Sequence, residues 1–351
     1  ESQLLTRWAK DIDPVSPWPE YPRPDLVRDR WMSLNGLWDY AITLKDAEFG
    51  EPEGKILVPY PVESALSGVK RRVTDSLALW YSRDFIMPRE WKGQQIILNF
   101  EASDWETSVW IDGKLAGKHS GGYDPFSFNI TPLFADSKKH KILVRVWDPT
   151  DRGRQPRGKQ VTKPGGIWYT PTTGIWQSVW LEPVNRNWIS GLRVVSDIDK
   201  GTFTVTVSED HCKGAEGCPP VDMAPSLAEV TFLYKGEVAG SASGETGKPL
   251  AVSISDPRLW SPENPALYDM EIKLISGGFP VDNIKSYAGM RKISLGKTAD
   301  GFTRIMLNNE FVWQNGPLDQ GFWPDGIYTP PTDVAMVYDI EMLKNMGFNM
   351  L

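Results

Sequence analysis

The sequence of 351 residues contains only two cysteines and three histidines. So few cysteines exclude a small scaffold held together by several disulfides. Cys212 and Cys218 lie six residues apart, and a surface-loop disulfide and two free thiols both remain open for them. The histidines are scattered without the spacing of metal ligands. We therefore predict no metal site and no cofactor.

The sequence also lacks an excess of positive charge and any long apolar run. Lys and Arg total 38 against 45 for Asp and Glu, which gives a net charge of −7. Nucleic-acid-binding proteins normally show a basic excess, so this charge argues against that class of partner. No apolar stretch approaches the ~18 residues that a membrane-spanning helix needs. The sequence thus predicts neither a nucleic-acid partner nor a membrane span.

Glycine, proline and tryptophan are abundant instead. The 31 Gly and 28 Pro residues are typical of a turn-rich β protein. Between residues 35 and 184, short runs such as Gln95–Phe100 and Lys141–Val146 alternate with turns, including the hairpin pair Asp112-Gly113. Many short strands without helical crossovers predict a β-sandwich. Most of the 16 Trp residues are assigned to these strands or to the N-terminal leader. Those expected to pack in the sandwich are Trp38, Trp80, Trp110, Trp176 and Trp180.

Three further segments complete the predicted organisation. Residues 1–34 are rich in Pro and Trp and are expected to form an extended arm. Residues 185–297 repeat the strand pattern at a size typical of an immunoglobulin-like sandwich. In residues 298–351, strand-like Phe302–Leu307 and Phe311–Gln314 precede a long loop, a helix capped by Thr332 and ended by Gly347, and a last apolar strand. This order is the opening of a β/α architecture.

Four groups of residues occur in a set order along the chain. They are Leu79–Phe85 with Gly121–Phe126, Thr173–Glu182, Leu259–Tyr268, and Leu307–Glu310 with Tyr338–Asn349. Together they resemble the N-terminal part of glycoside hydrolase family 2, which includes β-galactosidases, β-glucuronidases and β-mannosidases. The resemblance implies a mostly β chain: a jelly-roll sugar-binding sandwich at 35–184, an immunoglobulin-like sandwich at 185–297, and the first β/α unit of a truncated TIM barrel at 298–351.

The resemblance also implies a chemistry. The family hydrolyses β-glycosides with retention, using two glutamates held ~5–5.5 Å apart. Both lie on later barrel strands, beyond Leu351, and Asn309-Glu310 lies in a turn before the first barrel strand. We therefore assign no catalytic residue and expect this chain alone to be inactive, although its parent would be an exo-acting glycosidase. The alternative is a non-catalytic carbohydrate-binding or adhesion module. The family further suggests a periplasmic or secreted protein and leaves a homo-oligomer open.

Candidate sugar contacts lie on two loops. In TIM barrels, ligands bind at the C-terminal ends of strands, which favours the loop after Gln314. Its candidates, which offer polar groups for hydroxyls and an indole face for a pyranose ring, are Asn315, Asp319, Gln320, Trp323 and Asp325. The loop 152–172 matches a family loop that reaches toward the barrel mouth, and its candidates are Lys159, Trp168 and Tyr169. Lys159 is a contact for an acidic sugar or an ordinary solvated surface charge, and packing between domains is the competing interpretation of the two aromatic residues.

Overall fold

The computed structural model describes residues 4–135, 137–212 and 226–351. Cys218, on which the choice between a disulfide and two thiols depends, lies outside the described residues. The chain divides into two compact units. Unit 1 contains residues 4–22, Trp31–Pro183 and Leu318–Gly347, and unit 2 contains Arg23–Arg30, Val184–Pro317 and Phe348–Leu351. Strands dominate both units, which confirms the predicted mostly β class.

Unit 1 is built on antiparallel strands in two main sheets. Their orders are β3-β2-β4-β10-β7-β8 and β1-β12-β5-β9, and β11 pairs with β6 beside them. The strands are β1 (Met32–Ser33), β2 (Gly36–Leu44), β3 (Gly54–Val58), β4 (Leu77–Ile86), β5 (Gln95–Phe100), β6 (Ser103–Asp104), β7 (Glu106–Ile111), β8 (Lys114–Ser120), β9 (Phe126–Asn129), β10 (Lys139–Trp147), β11 (Gly174–Ile175) and β12 (Val179–Val184). Short 3-10 turns occur at Arg7–Asp11, within the predicted extended arm, and at Arg89–Trp91 and Thr131–Leu133.

Alternation along the strands explains why these sheets form a sandwich. In β10, Ile142, Val144 and Val146 are fully buried, while the two residues between them are partly exposed. The buried side joins the core of unit 1, to which Trp38 of β2 and Leu98 of β5 also belong. Period-two burial is what a sheet with one covered face requires. The Asp-Gly hairpin between β7 and β8 is confirmed, since Ile111 pairs with Lys114.

Unit 2 carries the second sandwich. One sheet has the order β13-β14-β17 and the other β16-β15-β18-β19. The strands are β13 (Asn187–Asp197), β14 (Thr202–His211), β15 (Leu227–Tyr234), β16 (Glu237–Glu245), β17 (Leu250–Ser253), β18 (Tyr268–Ser276) and β19 (Phe279–Ala288). Phe203 of one sheet stacks on Phe232 of the other, with ring centroids 4.5 Å apart. Both rings are fully buried, and burying each contributes ~1.5–3 kcal/mol.

A small three-stranded sheet follows in unit 2, formed by β20 (Ile293–Lys297), β21 (Thr303–Leu307) and β22 (Glu310–Phe311). The turn between β21 and β22 has Asn309 at φ +69°, the left-handed conformation that Asn tolerates. The predicted strand Phe311–Gln314 is wrong beyond Phe311, and residues 348–351 form no strand. The Asn349 N–H donates to the Asn315 carbonyl at 2.9 Å, and an isolated pairing of this kind falls short of a sheet.

The predicted helix is present in unit 1 as α1 (Asp333–Asn345). The Thr332 hydroxyl accepts a hydrogen bond from the Ala335 backbone N–H, as expected of an N-cap. Gly347 follows the helix at φ +89°. Val334 and Ile340 are more than half exposed. In the described part of the chain, no helix combines the length and the apolar character needed to span a bilayer.

Candidate functional site

A long loop, residues 148–173, connects β10 and β11 in unit 1. The side-chain amide of Gln160 holds this loop against strand β6. The Gln160 Nε2 atom donates hydrogen bonds to Asp104 Oδ2 and to the Tyr123 hydroxyl, both at 3.1 Å. Its Oε1 atom accepts the backbone N–H of Thr172. Gln160 is only 1% exposed, and a buried polar group left without partners is costly. The amide therefore fixes the middle of the loop to strand β6 and to the loop's own end.

Asp104 has room beside Gln160 because residue 122 is glycine. A Cβ atom on Gly122 would lie 2.6 Å from Cγ of Asp104, too close for any real contact. The Gly122 carbonyl also accepts the indole N–H of Trp176 at 2.8 Å. Burial, helped by the negative charge of Asp148, raises the pKa of Asp104 well above its ordinary range. Gly122 thus separates a buried carboxyl from a buried indole where no side chain fits.

Two more buried carboxyls at the base of the loop are joined by Thr173. The Thr173 N–H donates to Glu63 Oε2 and its hydroxyl donates to Asp148 Oδ2, both at 3.0 Å. Burial raises the pKa of Glu63 to about 8 and also raises that of Asp148. Glu63 is therefore mainly protonated at neutral pH, which avoids the cost of a buried charge. Side-chain hydrogen bonds hold this end of the loop as well.

Several predicted sugar-contact residues of this loop come together with Gln320, which belongs to the loop after Gln314. The Tyr169 hydroxyl donates a hydrogen bond to Oε1 of Gln320. The Lys159 ammonium lies 5.6 Å from the centroid of the Tyr169 ring, and Phe322 packs on that ring at 4.5 Å between centroids. Trp168, the next residue toward the N-terminus, is 43% exposed. The surface offers aromatic faces, an amide and an ammonium, a combination suited to the apolar face and the hydroxyls of a pyranose.

Asp325 and Trp323 are engaged in contacts with the N-terminal segment of unit 1. Asp325 is fully buried, and its Oδ2 atom accepts the Thr6 N–H at 2.8 Å and the Thr6 hydroxyl at 2.6 Å. The Trp323 ring packs edge-on against Trp8, with centroids 6.2 Å apart. These contacts secure the loop after Gln320. A role for either side chain in holding a sugar stays a prediction.

Asp319 and Asn315 take part in hydrogen bonds with other residues of their own units. Oδ1 of Asp319 accepts the Gly321 N–H at 2.7 Å, which stabilises the turn there. Asn315 belongs to unit 2, and its N–H donates to Oδ1 of Asn349 at 2.9 Å. Both residues are exposed. Their predicted sugar contacts also stay predictions.

The sequence reasoning missed the layer beneath Tyr169 and Phe322. Tyr328 lies between Phe322 and Trp176, at 5.5 and 5.4 Å between ring centroids, and burial raises its pKa. The pair Gly121-Gly122 was a local signal of close packing, but it does not name the partner. Among the described residues, no group of three or more His, Cys, Asp or Glu side chains could hold a metal ion.

Two family models match the chain in succession. The model described as glycosyl hydrolases family 2, sugar binding domain, matches residues 43–181, and the model described as glycosyl hydrolases family 2 matches residues 189–291. The first match includes the whole loop 148–173. Together the two matches span most of the chain.

Similar proteins carry the names of glycosidases. A β-galactosidase of Thermoanaerobacter pseudethanolicus is 26% identical over 269 residues, which are 73% of this chain and 34% of that protein. A β-glucuronidase of Paenibacillus borealis is 22% identical over 317 residues, 84% of this chain and 50% of that protein. The chain therefore spans half or less of the length of these relatives.

Solved structures share the fold. A β-glucuronidase from Ruminococcus gnavus, in complex with D-glucuronic acid, aligns with a TM-score of 0.73 at 20% identity, covering 94% of this chain and 57% of that one. A β-glycosidase from Bacteroides vulgatus aligns with a TM-score of 0.69 at 21% identity, covering 91% and 41%. At such identities the likeness establishes the architecture alone.

Proposed function

Because the chain belongs to glycoside hydrolase family 2, as its N-terminal portion, we propose that it is the substrate-positioning part of an exo-acting, retaining β-glycosidase. In this proposal the two catalytic glutamates lie outside these 351 residues, and the chain by itself does not turn over substrate. Its contribution is to hold one end of a β-glycoside through the surface around Tyr169.

One observation carries the proposal: the bond between the Tyr169 hydroxyl and Gln320. It joins the two loops on which sugar contacts were predicted, and both bonded residues lie in unit 1. The Tyr169 loop is anchored by the buried Gln160 and Thr173 bonds, so the surface is fixed before a ligand arrives. Preorganised side chains of this kind reduce the ordering cost of binding. Lys159 beside the ring favours a sugar that carries a carboxylate.

The first test assays this chain with 4-nitrophenyl β-galactoside and 4-nitrophenyl β-glucuronide. We expect no hydrolysis above the uncatalysed rate. Hydrolysis well above that rate would contradict the placement of the glutamates outside the chain. The companion test sequences the gene downstream of the codon for Leu351, where the proposal requires two glutamates on later barrel strands. Their absence would favour a non-catalytic carbohydrate-binding module instead.

The second test places Tyr169→Ala and Gln320→Ala in the full product of the gene. If the surface binds the glycoside in the ground state and the transition state alike, KM rises and kcat is little changed. Tyr287→Ala is a matched control, because Tyr287 is 46% exposed in unit 2 and outside the candidate site. An unchanged KM in both site variants would show that this surface does not bind the substrate.

A further inference from the structure

Unit 1 also contains a cleft that is separate from the candidate surface around Tyr169. It has a volume of about 450 Å³ and includes Lys45, Asp75, Trp105, Trp147 and Arg152. Two tryptophans, two cations and one carboxylate thus line a concave surface. None of the eight predicted sugar-contact residues contributes to it.

The two indoles of the cleft differ in their partners. The Trp147 ring is pinned, because its Nε1 atom donates to the Asp75 carbonyl at 2.8 Å and the Lys45 ammonium lies 3.3 Å from its centroid. Trp105 is half-buried, yet within the described ranges its ring pairs with no other aromatic ring or cation and its indole N–H has no hydrogen-bond partner. One indole therefore holds a cation in place while the other has a face available for an apolar surface.

The charges of the cleft favour an anion. Lys45 and Arg152 face a single acidic side chain, Asp75, in a chain whose net charge is −7. The Arg152 guanidinium is 66% exposed and lies 3.4 Å from Asp75, and exposed pairs of this kind contribute little. Arg152 can thus turn to a ligand oxygen, for which its planar fork is suited. The Lys45 ammonium supplies a second, fixed positive charge.

We propose that this cleft is a second saccharide site, which binds a pyranose carrying a carboxylate or sulfate group. The apolar face of the ring lies on Trp105, and the anionic group lies between Lys45 and Arg152. The site does not depend on the hydrolase activity of the full protein. Its occupant is held by charge and stacking alone, with no covalent step.

The test measures binding to this chain by isothermal titration calorimetry with three probes: methyl β-D-glucuronide, glucose 6-sulfate and the neutral methyl β-D-glucoside. We expect at least one anionic probe to bind about tenfold more tightly than the neutral probe and to weaken as salt is added. The anionic probe that binds shows whether the site takes a carboxylate or a sulfate. Binding of neither, or equal binding of the neutral probe, would overturn the proposal.

Variants separate this cleft from the surface around Tyr169. Arg152→Gln changes an exposed head group, so the melting temperature should stay the same. Binding of the anionic probe should become about tenfold weaker. Trp105→Leu should also weaken binding of the anionic probe. Lys55 is an exposed cation paired with Asp39, and Lys55→Gln should leave the binding unchanged. Anionic binding that survives Arg152→Gln but is lost in Tyr169→Ala would assign the probe to the loop surface and refute a second site.

Discussion

Replacing Gly122 by alanine should destabilise unit 1 because the new methyl group has no space. The added Cβ would lie 2.6 Å from Cγ and Oδ1 of Asp104 and 2.9 Å from Oδ2. Asp104 cannot swing away easily, since it is 3% exposed and bonded to Gln160. Overpacking of a filled interior typically costs ~1–3 kcal/mol. For a unit of this size, about 2 kcal/mol corresponds to a melting temperature lower by about 4–8 °C.

The measurement is thermal unfolding followed by calorimetry, with Gly50→Ala as the matched control. Gly50 has ordinary backbone angles and nothing within 4 Å of its Cβ position, so its substitution should be nearly neutral. In an Asp104→Ala background the clash is gone, and the cost of Gly122→Ala should shrink. Equal melting temperatures for Gly122→Ala and Gly50→Ala, or the same cost in both backgrounds, would refute the role of Gly122 as a spacer for Asp104.

Three further changes test other parts of the structure. The folded-state pKa of Glu63, about 8, lies above its ordinary value of 4.5, so its contribution to stability is full below 4.5 and is lost as the pH rises toward about 8. Glu63→Gln should therefore flatten the fall of the urea midpoint across that interval, and an equally steep fall in both proteins would contradict this. Thr332→Ala removes the hydroxyl that accepts the Ala335 N–H and should cost about 1 kcal/mol in urea unfolding, whereas Thr332→Ser should restore most of the loss. Phe203→Ala opens a cavity against Phe232 and should lower the stability of unit 2 by ~3–5 kcal/mol, and a loss below 1 kcal/mol would show that this stack is not central to the core.

Local chemistry predicted the features that depend on a few neighbouring residues. The Asp-Gly hairpin and the Thr332 cap each follow from the conformations and hydrogen bonds that single residue types favour. The mostly β class follows from period-two patterning, which survives in β10 and in β18. These predictions needed no knowledge of which strands become neighbours.

The base of the candidate site could not be predicted in the same way. Gln160 meets Asp104, 56 residues away in sequence, and Thr173 meets Glu63, 110 residues away. Such pairs exist only after the sheets have assembled, and no periodicity encodes them. The strand predicted at Phe311–Gln314 ended early for a related reason. A strand needs a hydrogen-bonded neighbour, and the pairing of β22 with β21 covers Glu310 and Phe311 and goes no further along the chain.

The polar character of the loop base follows from what the loop must do. A segment of this length without strands of its own leaves backbone groups that water cannot reach once the base is buried. An apolar anchor would fill the space but could not accept the Thr172 N–H, which Gln160 does, or the Thr173 N–H, which Glu63 does. A protonated Glu63 and an uncharged amide meet that need without placing net charge in the interior. The same anchors set the position of Tyr169, so the stability of the loop base and the geometry of the proposed sugar surface should change together when either is altered.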